Sequence, residues 1–463
     1  LLEDASSQPF AGVYRTYMIP NNDENIEVRL WELLTAIKLV YASTFYEDAK
    51  AYIDSTPNRL EEEKMAVVIQ QVVGKQHGEL VYPNFAGNAR SRDFYPVAGA
   101  SAQDGVACTA LGLGSTVVDG GRCVRFSPRF PQRIVQFSSV EATLESAQRE
   151  FSALDLGRTG TGEVSPDAGW NMVTVGLDVA MEHGTLAPVG SVYSSENEVI
   201  YEGVHRPGIP LVTLAGVLKS GLFPLGEVLD FLLTLGSAAF ACPVEMEYAV
   251  NLRERPDDLH EFGFLQIRPL GIGAGVRSVD LERVDDDQVI CRSRRALGHG
   301  LIEDLRDLVY VPRRTFVRSA TEEIAREIGR LNETLRAAGR RYVLVGPGRW
   351  GTSDRWLGIP VSWSQVSHVG CFVETDLEDI RVEPSQGTHF FQNITSLGIG
   401  YFSVNFAGEA SGLLAMDWLD GLPAEHETTH VRHVTFPEPL EVAVDSRTGA
   451  GVILRPGHRI EVS

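Results

Sequence analysis

"FLQIRPL", Phe264–Leu270, is an apolar run broken at alternate positions by Gln266 and Arg268. Side chains two apart on a strand share a face, so the spacing predicts a strand that sets an amide beside a guanidinium. Upstream, "VEMEYAV", Val244–Val250, has the same texture: Glu245, Glu247 and Ala249 fall on one face, and Val244, Met246, Tyr248 and Val250 on the other. Polar "NLRERPDDLHE" separates the two stretches, and "PLGEVLDFLLTLGSAAFA", Pro224–Ala241, precedes them as an almost wholly apolar segment expected to be a buried helix. A strand pair after that helix brings carboxylates, an amide and a guanidinium to one surface. Charges beside so apolar an element are costly unless paired. Two readings stand: an internal Glu–Arg ion pair on a solvent-facing sheet, or Glu247 and the Gln266 carbonyl as oxygen ligands for Mg²⁺ with Arg268 gripping phosphate oxygens.

Outward from this centre the pattern is mixed. Leu30, Leu34, Ile37 and Tyr41 recur at helical spacing within a segment from Ile26 to about Ile53, which predicts an amphipathic helix packed on that face. "MAVVIQQVVG", Met65–Gly74, is rich in β-branched residues and reads as a buried strand, with "YPNFAGNARSRD" as the turn after it. "TALGLGSTVVDGG", from Thr109, supplies a glycine-rich turn, and "VEATLESAQREFSAL", from Val140, returns to helical spacing. After Pro269 the text turns to "GIGAGVRS" and acidic "ERVDDDQ", which places a domain boundary near residues 270 to 290. In "SATEEIAREIGRLNETLRAAGRRYVLVGPGRWG", Ser319 and Glu322 form a capping-box pattern, Ile324, Ile328, Leu331 and Leu335 line one face, Gly339 ends the helix, and "RYVLV" is a strand. The last hundred residues favour strands.

The 463 residues carry 62 acidic against 41 basic side chains, a formal net charge of -21, which disfavours non-specific attraction to nucleic acid or anionic lipid. No apolar run reaches the roughly 18 residues of a membrane span and no leader pattern opens the chain, so a cytoplasmic protein is expected. Cys108, Cys123, Cys242, Cys291 and Cys371 are scattered without a CxxC pair, which indicates neither a disulfide framework nor a zinc cluster. The opening "LLEDASSQPFAG" lacks a methionine and reads as cut from something longer.

Taken in order, four pieces resemble one family, the nucleotide-binding domain of phosphoenolpyruvate synthase and pyruvate phosphate dikinase. "LLEDASSQPFAGVYRTYM" looks like its acidic segment, "VVIQQVV" like its adenine-hinge strand, "GLGSTVVDG" like its glycine loop, and "VEMEYAV" with "FLQIRP" like its metal and phosphate strands. The resemblance implies an α/β (α+β) protein: an ATP-grasp-like domain over residues 1–270, incomplete at its N-terminus, and a mixed, strand-rich C-terminal domain over 271–463. It implies ATP and Mg²⁺ as ligands, with Glu247 and Gln266 holding the metal and Arg268 acting on the phosphates. Gln71, Val72 and Val73 would border adenine. Backbone near Gly112 and Gly114 would approach phosphate, since glycine permits close approach. The implied activity is phosphoryl transfer from ATP, a kinase-type reaction in which the protein positions phosphates and offsets charge.

The sequence departs from the family in two places. The glycine loop normally continues with Glu, and Ser115 stands there; the family's lysine- and arginine-bearing N-terminal portion lies upstream of Leu1. "GTSDRWLGIPV", from Gly351, resembles the family's TSH phosphoryl-acceptor motif but has Asp354 in place of the histidine, so the acceptor is not identifiable in this chain. A nucleotide sensor or scaffold without turnover is the alternative.

Three further motifs stand apart. "GPGRWGT" after a strand reads as an anion-binding loop with Arg349 as its charge, or as an ordinary turn. "EPSQGTHFFQN" gathers Glu383, Gln386, His389 and Gln392 beside two phenylalanines and reads as a polar turn under an aromatic cluster. "HETTHVRH" matches H-E-x-x-H at His426, Glu427 and His430, with His433 nearby, but Thr428, Thr429 and Val431 are β-branched and the text continues as alternating strand. A zinc site of that type needs both histidines on one helical turn.

Overall fold

The computed structural model describes residues 12, 14–54, 64–94, 96, 100–157, 165, 167, 169–270, 284–298, 300–352, 354, 356–376, 389–397, 399–405, 412–445 and 448–460. Helices and strands are mixed throughout. Residues 1–11 of the acidic opening segment, residues 271–283 of the expected boundary stretch near 270 to 290, and Glu383 and Gln386 fall outside the described residues.

Instead of one long helix, the N-terminal segment forms α1 (Ile26–Ser43) and α2 (Glu47–Asp54). Asn25 caps α1 by accepting from the Glu27 amide. The expected apolar face is turned outward: Leu30, Leu34 and Tyr41 are exposed, while Glu32, Ala36 and Ser43 are buried. The helical period fixes the element but not which face the rest of the chain meets.

A five-stranded antiparallel sheet carries the opening stretch. It comprises β1 (Phe85–Arg90), β2 (Val106–Ala110), β3 (Val124–Phe126), β4 (Val244–Asn251) and β5 (Glu261–Pro269), in the order β5-β4-β1-β2-β3. Here β1 replaces the expected turn at "YPNFAGNARSRD". Gly87 makes that strand possible, because a Cβ there would collide with the Cys108 carbonyl on β2. Conversely, 64–74 forms no strand, and Val68 and Ile69 are exposed. The segment lies along the outer edge of β5, where Gln70 donates to the Leu265 carbonyl at 3.0 Å. Its β-branched run reads as a strand without a ladder to join.

One face of the sheet packs on α4 (Leu225–Phe240) through Val244, Met246, Tyr248 and Val250. The α4 stripe of Leu225, Gly226, Leu229, Leu233 and Gly236 is buried; Phe231 and Leu235 are exposed, so the helix is amphipathic in position though nearly uniform in sequence. The helical run from Val140 also ends early. The helix stops at Ser146, and Glu150–Asp155 is a strand that buries Phe151 and Ala153 with period two.

Two smaller antiparallel sheets lie between residues 75 and 212, and the C-terminal part of the chain builds a mixed sheet around four parallel strands, β6 (Gly300–Tyr310), β7 (Tyr342–Pro347), β8 (Val369–Thr375) and β9 (Gly400–Val404), adjacent in that order. The long strand β10 (Arg432–Asp445) runs antiparallel beside β6. Crossovers supply α5 (Thr321–Ala337) and α6 (His389–Ser396). In α5, Ile324, Ile328, Leu331 and Leu335 are buried as the spacing predicts, and Gly339 takes a φ of 65° after its end. The helix starts at Thr321 with Ala320 as N-cap and no side-chain cap, so the Ser319–Glu322 box is not its start; a 3₁₀ turn, Arg318–Ala320, takes that place. The expected polar turn around His389 is the helix α6, whose Phe391 rests on Tyr401 and whose Phe390 rests on Phe372. Tyr14, Tyr52 and Ile53 pack into this second core.

Candidate functional site

Register decides what shares a face. Across β4 and β5, Glu245 stands opposite Arg268 and Glu247 opposite Gln266; across β4 and β1, Glu245 stands opposite Arg90 and Glu247 opposite Asn88. A bulge follows on β5, where Leu265 is skipped between the Glu247–Gln266 and Tyr248–Phe264 pairs, while Tyr248 stays on the apolar side with Val244 and Met246. On β2 and β3 the same rows continue through Cys108 and Arg125. Thus one sheet presents α4 with hydrocarbon and, on its reverse, two carboxylates, two amides and three guanidiniums.

These groups pair selectively. The Arg268 guanidinium donates to Glu247 Oε1 at 3.0 Å, with the Arg268 side chain 5% and the Glu247 side chain 25% exposed. Arg90 donates to Glu245 Oε1 at 3.3 Å and Asn88 to the same oxygen at 3.1 Å. Arg125 holds Asp93 through both carboxylate oxygens, at 2.8 and 2.9 Å. The internal ion pair expected from the sequence is therefore present, but the face is not solvated: Arg90, Glu245 and Arg268 are buried. Among the described residues, Arg90 Nε and Nη1 and Glu245 Oε2 have no hydrogen-bond partner. Orphaned charge of this kind is costly unless something else meets it.

The glycine loop borders this face. β2 ends at Ala110, Gly112 takes a φ of 87°, and Gly114 caps the one-turn helix α3 (Ser115–Val118). A Cβ on Gly112 would stand 2.6 Å from the Ser152 carbonyl, so only glycine lets the loop lie this close to its neighbouring strand. Ser115 Oγ is buried with no hydrogen-bond partner among the described residues. Gln71 to Val73 run beside the edge of β5, where Val73 would meet a Cβ on Gly263 at 2.6 Å.

The structure thus brings Glu247, Gln266 and Arg268 together and leaves Gln71–Val73 and Gly112–Gly114 as separate flanking segments. Sequence reasoning missed Asn88, Arg90 and Arg125. The signal was available for the first two, which alternate in "GNARS" as Gln266 and Arg268 do in "LQIRP", but glycine and asparagine there read as turn.

The histidine motif makes a hairpin. His426–Glu427 pairs with β10, placing His426 opposite His433. Buried His433 and Asp307 are linked at 2.8 Å, and Arg340 bonds both Asp307 and Glu425, so one guanidinium already serves these two carboxylates. The C-terminal loop carries Arg349 to the five-stranded sheet's side of the molecule, where it donates to the Gly120 carbonyl at 3.3 Å.

No helix among the described residues is long and apolar enough to cross a membrane. Residues 1–279 match the family model of the AMP/ATP-binding domain of pyruvate phosphate dikinase. No curated protein matches the chain.

Proposed function

The chain belongs to the family of the pyruvate phosphate dikinase AMP/ATP-binding domain, and from that premise we propose that it binds Mg-ATP on the polar face of β4 and β5 and passes a phosphoryl group onward. The observation that carries this reading is the row of buried Arg90, Glu245 and Arg268 with partly buried Glu247, in which Arg90 and Glu245 retain polar atoms with no hydrogen-bond partner among the described residues.

The donor set fits the group. Glu247 and Gln266 stand directly opposite and offer a carboxylate and an amide oxygen, the hard donors that Mg²⁺ prefers. Arg268, oriented by Glu247, supplies a planar cation suited to phosphate oxygens. Bound there, Mg²⁺ supplies neutralisation of phosphate charge. The chain's own part is to hold the phosphates with Arg268 and the Gly112–Gly114 backbone, to place adenine beside Gln71, Val72 and Val73, and to exclude water from a face already buried. In such transfers positioning and charge compensation are the main contributions.

The same proposal takes the nucleotide unit to be ATP-grasp-like and to run to about residue 270, with a second unit from 271. It also places the protein in the cytoplasm, in keeping with five cysteines scattered without a CxxC pair. A nucleotide sensor without turnover is the second reading, favoured by Ser115 in place of the family's glutamate. The two separate on one assay: ATP-dependent AMP formation that Glu247→Ala abolishes without unfolding supports the phosphotransferase, and tight nucleotide binding with no turnover supports the sensor.

A further inference from the structure

The loop after β7 is built to hold one arginine still. Gly348 takes a φ of 77°, donates to the Thr375 carbonyl at 2.8 Å, and would place a Cβ 2.6 Å from the Leu357 carbonyl. Arg349 and Trp350 then pair in parallel with Gly358 and Ile359. Trp350 is the anchor: it is 1% exposed, its amide donates to Glu374 Oε1 at 2.8 Å, and its indole donates to the Val373 carbonyl at 3.2 Å. Gly351, with a φ of 70°, is packed against the Phe390 ring. The residue beside this anchor is thereby fixed at its backbone, and its guanidinium points away from the C-terminal core to the Gly120 carbonyl.

Gly120 closes the glycine loop. It takes a φ of 81° and its amide donates to the Val117 carbonyl at 3.1 Å, while Gly121 donates to Thr116 at 2.8 Å. The segment from Gly112 to Gly121 is thus pinned at one end by Gly112 against Ser152 and at the other by Arg349. A second contact joins the same two regions: the Arg90 guanidinium lies 5.4 Å from the centre of the Phe391 ring, and Phe94 meets Phe391 at 6.0 Å. The C-terminal region therefore touches the proposed nucleotide face from two separate segments.

We propose that Arg349 is a positioning residue for nucleotide binding: by holding the Gly120 carbonyl it presets the Gly112–Gly121 backbone to receive the phosphates of ATP. The C-terminal region then serves the nucleotide site. This inference rests on the nucleotide reading above. A charge-assisted hydrogen bond to a neutral carbonyl is worth about tenfold in an equilibrium, and its loss falls on the phosphates that meet the loop rather than on adenosine.

The test is calorimetric titration of the full chain with Mg-ATP and, separately, with AMP, for unaltered protein, Arg349→Ala, Arg349→Lys and Glu247→Ala, each checked for cooperative unfolding. We expect Arg349→Ala to weaken Mg-ATP about tenfold and AMP less than threefold, and Arg349→Lys, which still donates, to recover most of the loss. Unchanged Mg-ATP affinity in Arg349→Ala, or equal loss for both nucleotides, overturns the inference; should Arg349→Ala not fold, the same ratio read in Arg349→Lys and Arg349→Gln decides it. If Glu247→Ala binds Mg-ATP as unaltered protein does, the nucleotide reading itself fails. If Glu247→Ala loses binding while the Arg349 variants keep it, only the positioning role fails.

Discussion

Arg268 reaches diagonally across the strand pair to Glu247, at 3.0 Å, although its direct cross-strand neighbour is Glu245. That leaves Glu245 to Arg90 and Asn88 on the other side, so each carboxylate has its own cation and the row alternates in charge. Truncating one partner of a buried pair strands the other, at a cost of about 3 kcal/mol. We therefore predict that Glu247→Ala and Arg268→Ala each lower stability by about that amount and that the double variant loses much less than their sum. Urea unfolding of the four proteins measures the coupling; strict additivity would mean that the pair contributes nothing.

Gly112 joins a φ of 87° to a neighbouring carbonyl 2.6 Å from where a Cβ would stand. Gly112→Ala should cost at least about 1–2 kcal/mol from the left-handed backbone alone, with a lowered urea midpoint. Gly78→Ala, at a φ of 61° but with open space around it, should show the backbone cost without the steric one. Equal losses at the two positions would show that the close approach to Ser152 carries no energy.

Asp307 gives a pH dependence. Burial pushes its carboxyl up, but donation from His433, Arg340 and Thr435 outweighs that and holds it below the ordinary carboxylate range. A native value below the unfolded one means that the contribution is fully present above the unfolded value and is lost as pH falls through the native one. Asp307→Asn should be less stable near neutral pH by about 3 kcal/mol and should show a flatter loss of stability on acidification below about pH 4. Parallel acid limbs for the two proteins would contradict this assignment.

Cysteine reactivity should follow burial. Cys291 and Cys371 are fully buried and burial pushes both thiols up, while Cys123 and Cys242 are partly exposed. Alkylation of the native chain, read by peptide mass mapping, should label Cys123 and Cys242 first and reach Cys291 and Cys371 only on unfolding. Prompt labelling of Cys371 would contradict the closed core between β7, β8 and β9.

What was legible in the sequence was the short-range periodicity. "VEMEYAV" and "FLQIRPL" gave their faces because a strand repeats every two residues, and α5 gave its stripe because four leucines and isoleucines recur at 3.6. The polar face itself follows from pairing those two strands. What was not legible depended on partners distant in sequence. The "VVIQQVV" run has strand composition but finds no ladder; "FAGNAR" has turn composition but becomes a central strand because Gly87 admits the Cys108 carbonyl. Uniformly apolar α4 could not announce that Phe231 would face outward. Arg349 was visible as a candidate charge, yet its bond to Gly120 spans 229 residues and no local pattern encodes it.

The central claim is that the face of "FLQIRPL" holds Mg-ATP. The most direct measurement is calorimetric titration of Mg-ATP into the full chain beside Glu247→Ala and Arg268→Ala, with folding of both variants verified. The account predicts saturable binding by unaltered protein that weakens at least about tenfold in each variant. Binding that is absent from the unaltered protein, or equal in all three, would leave the row from Arg90 to Arg268 as a structural ion-pair array and contradict the claim.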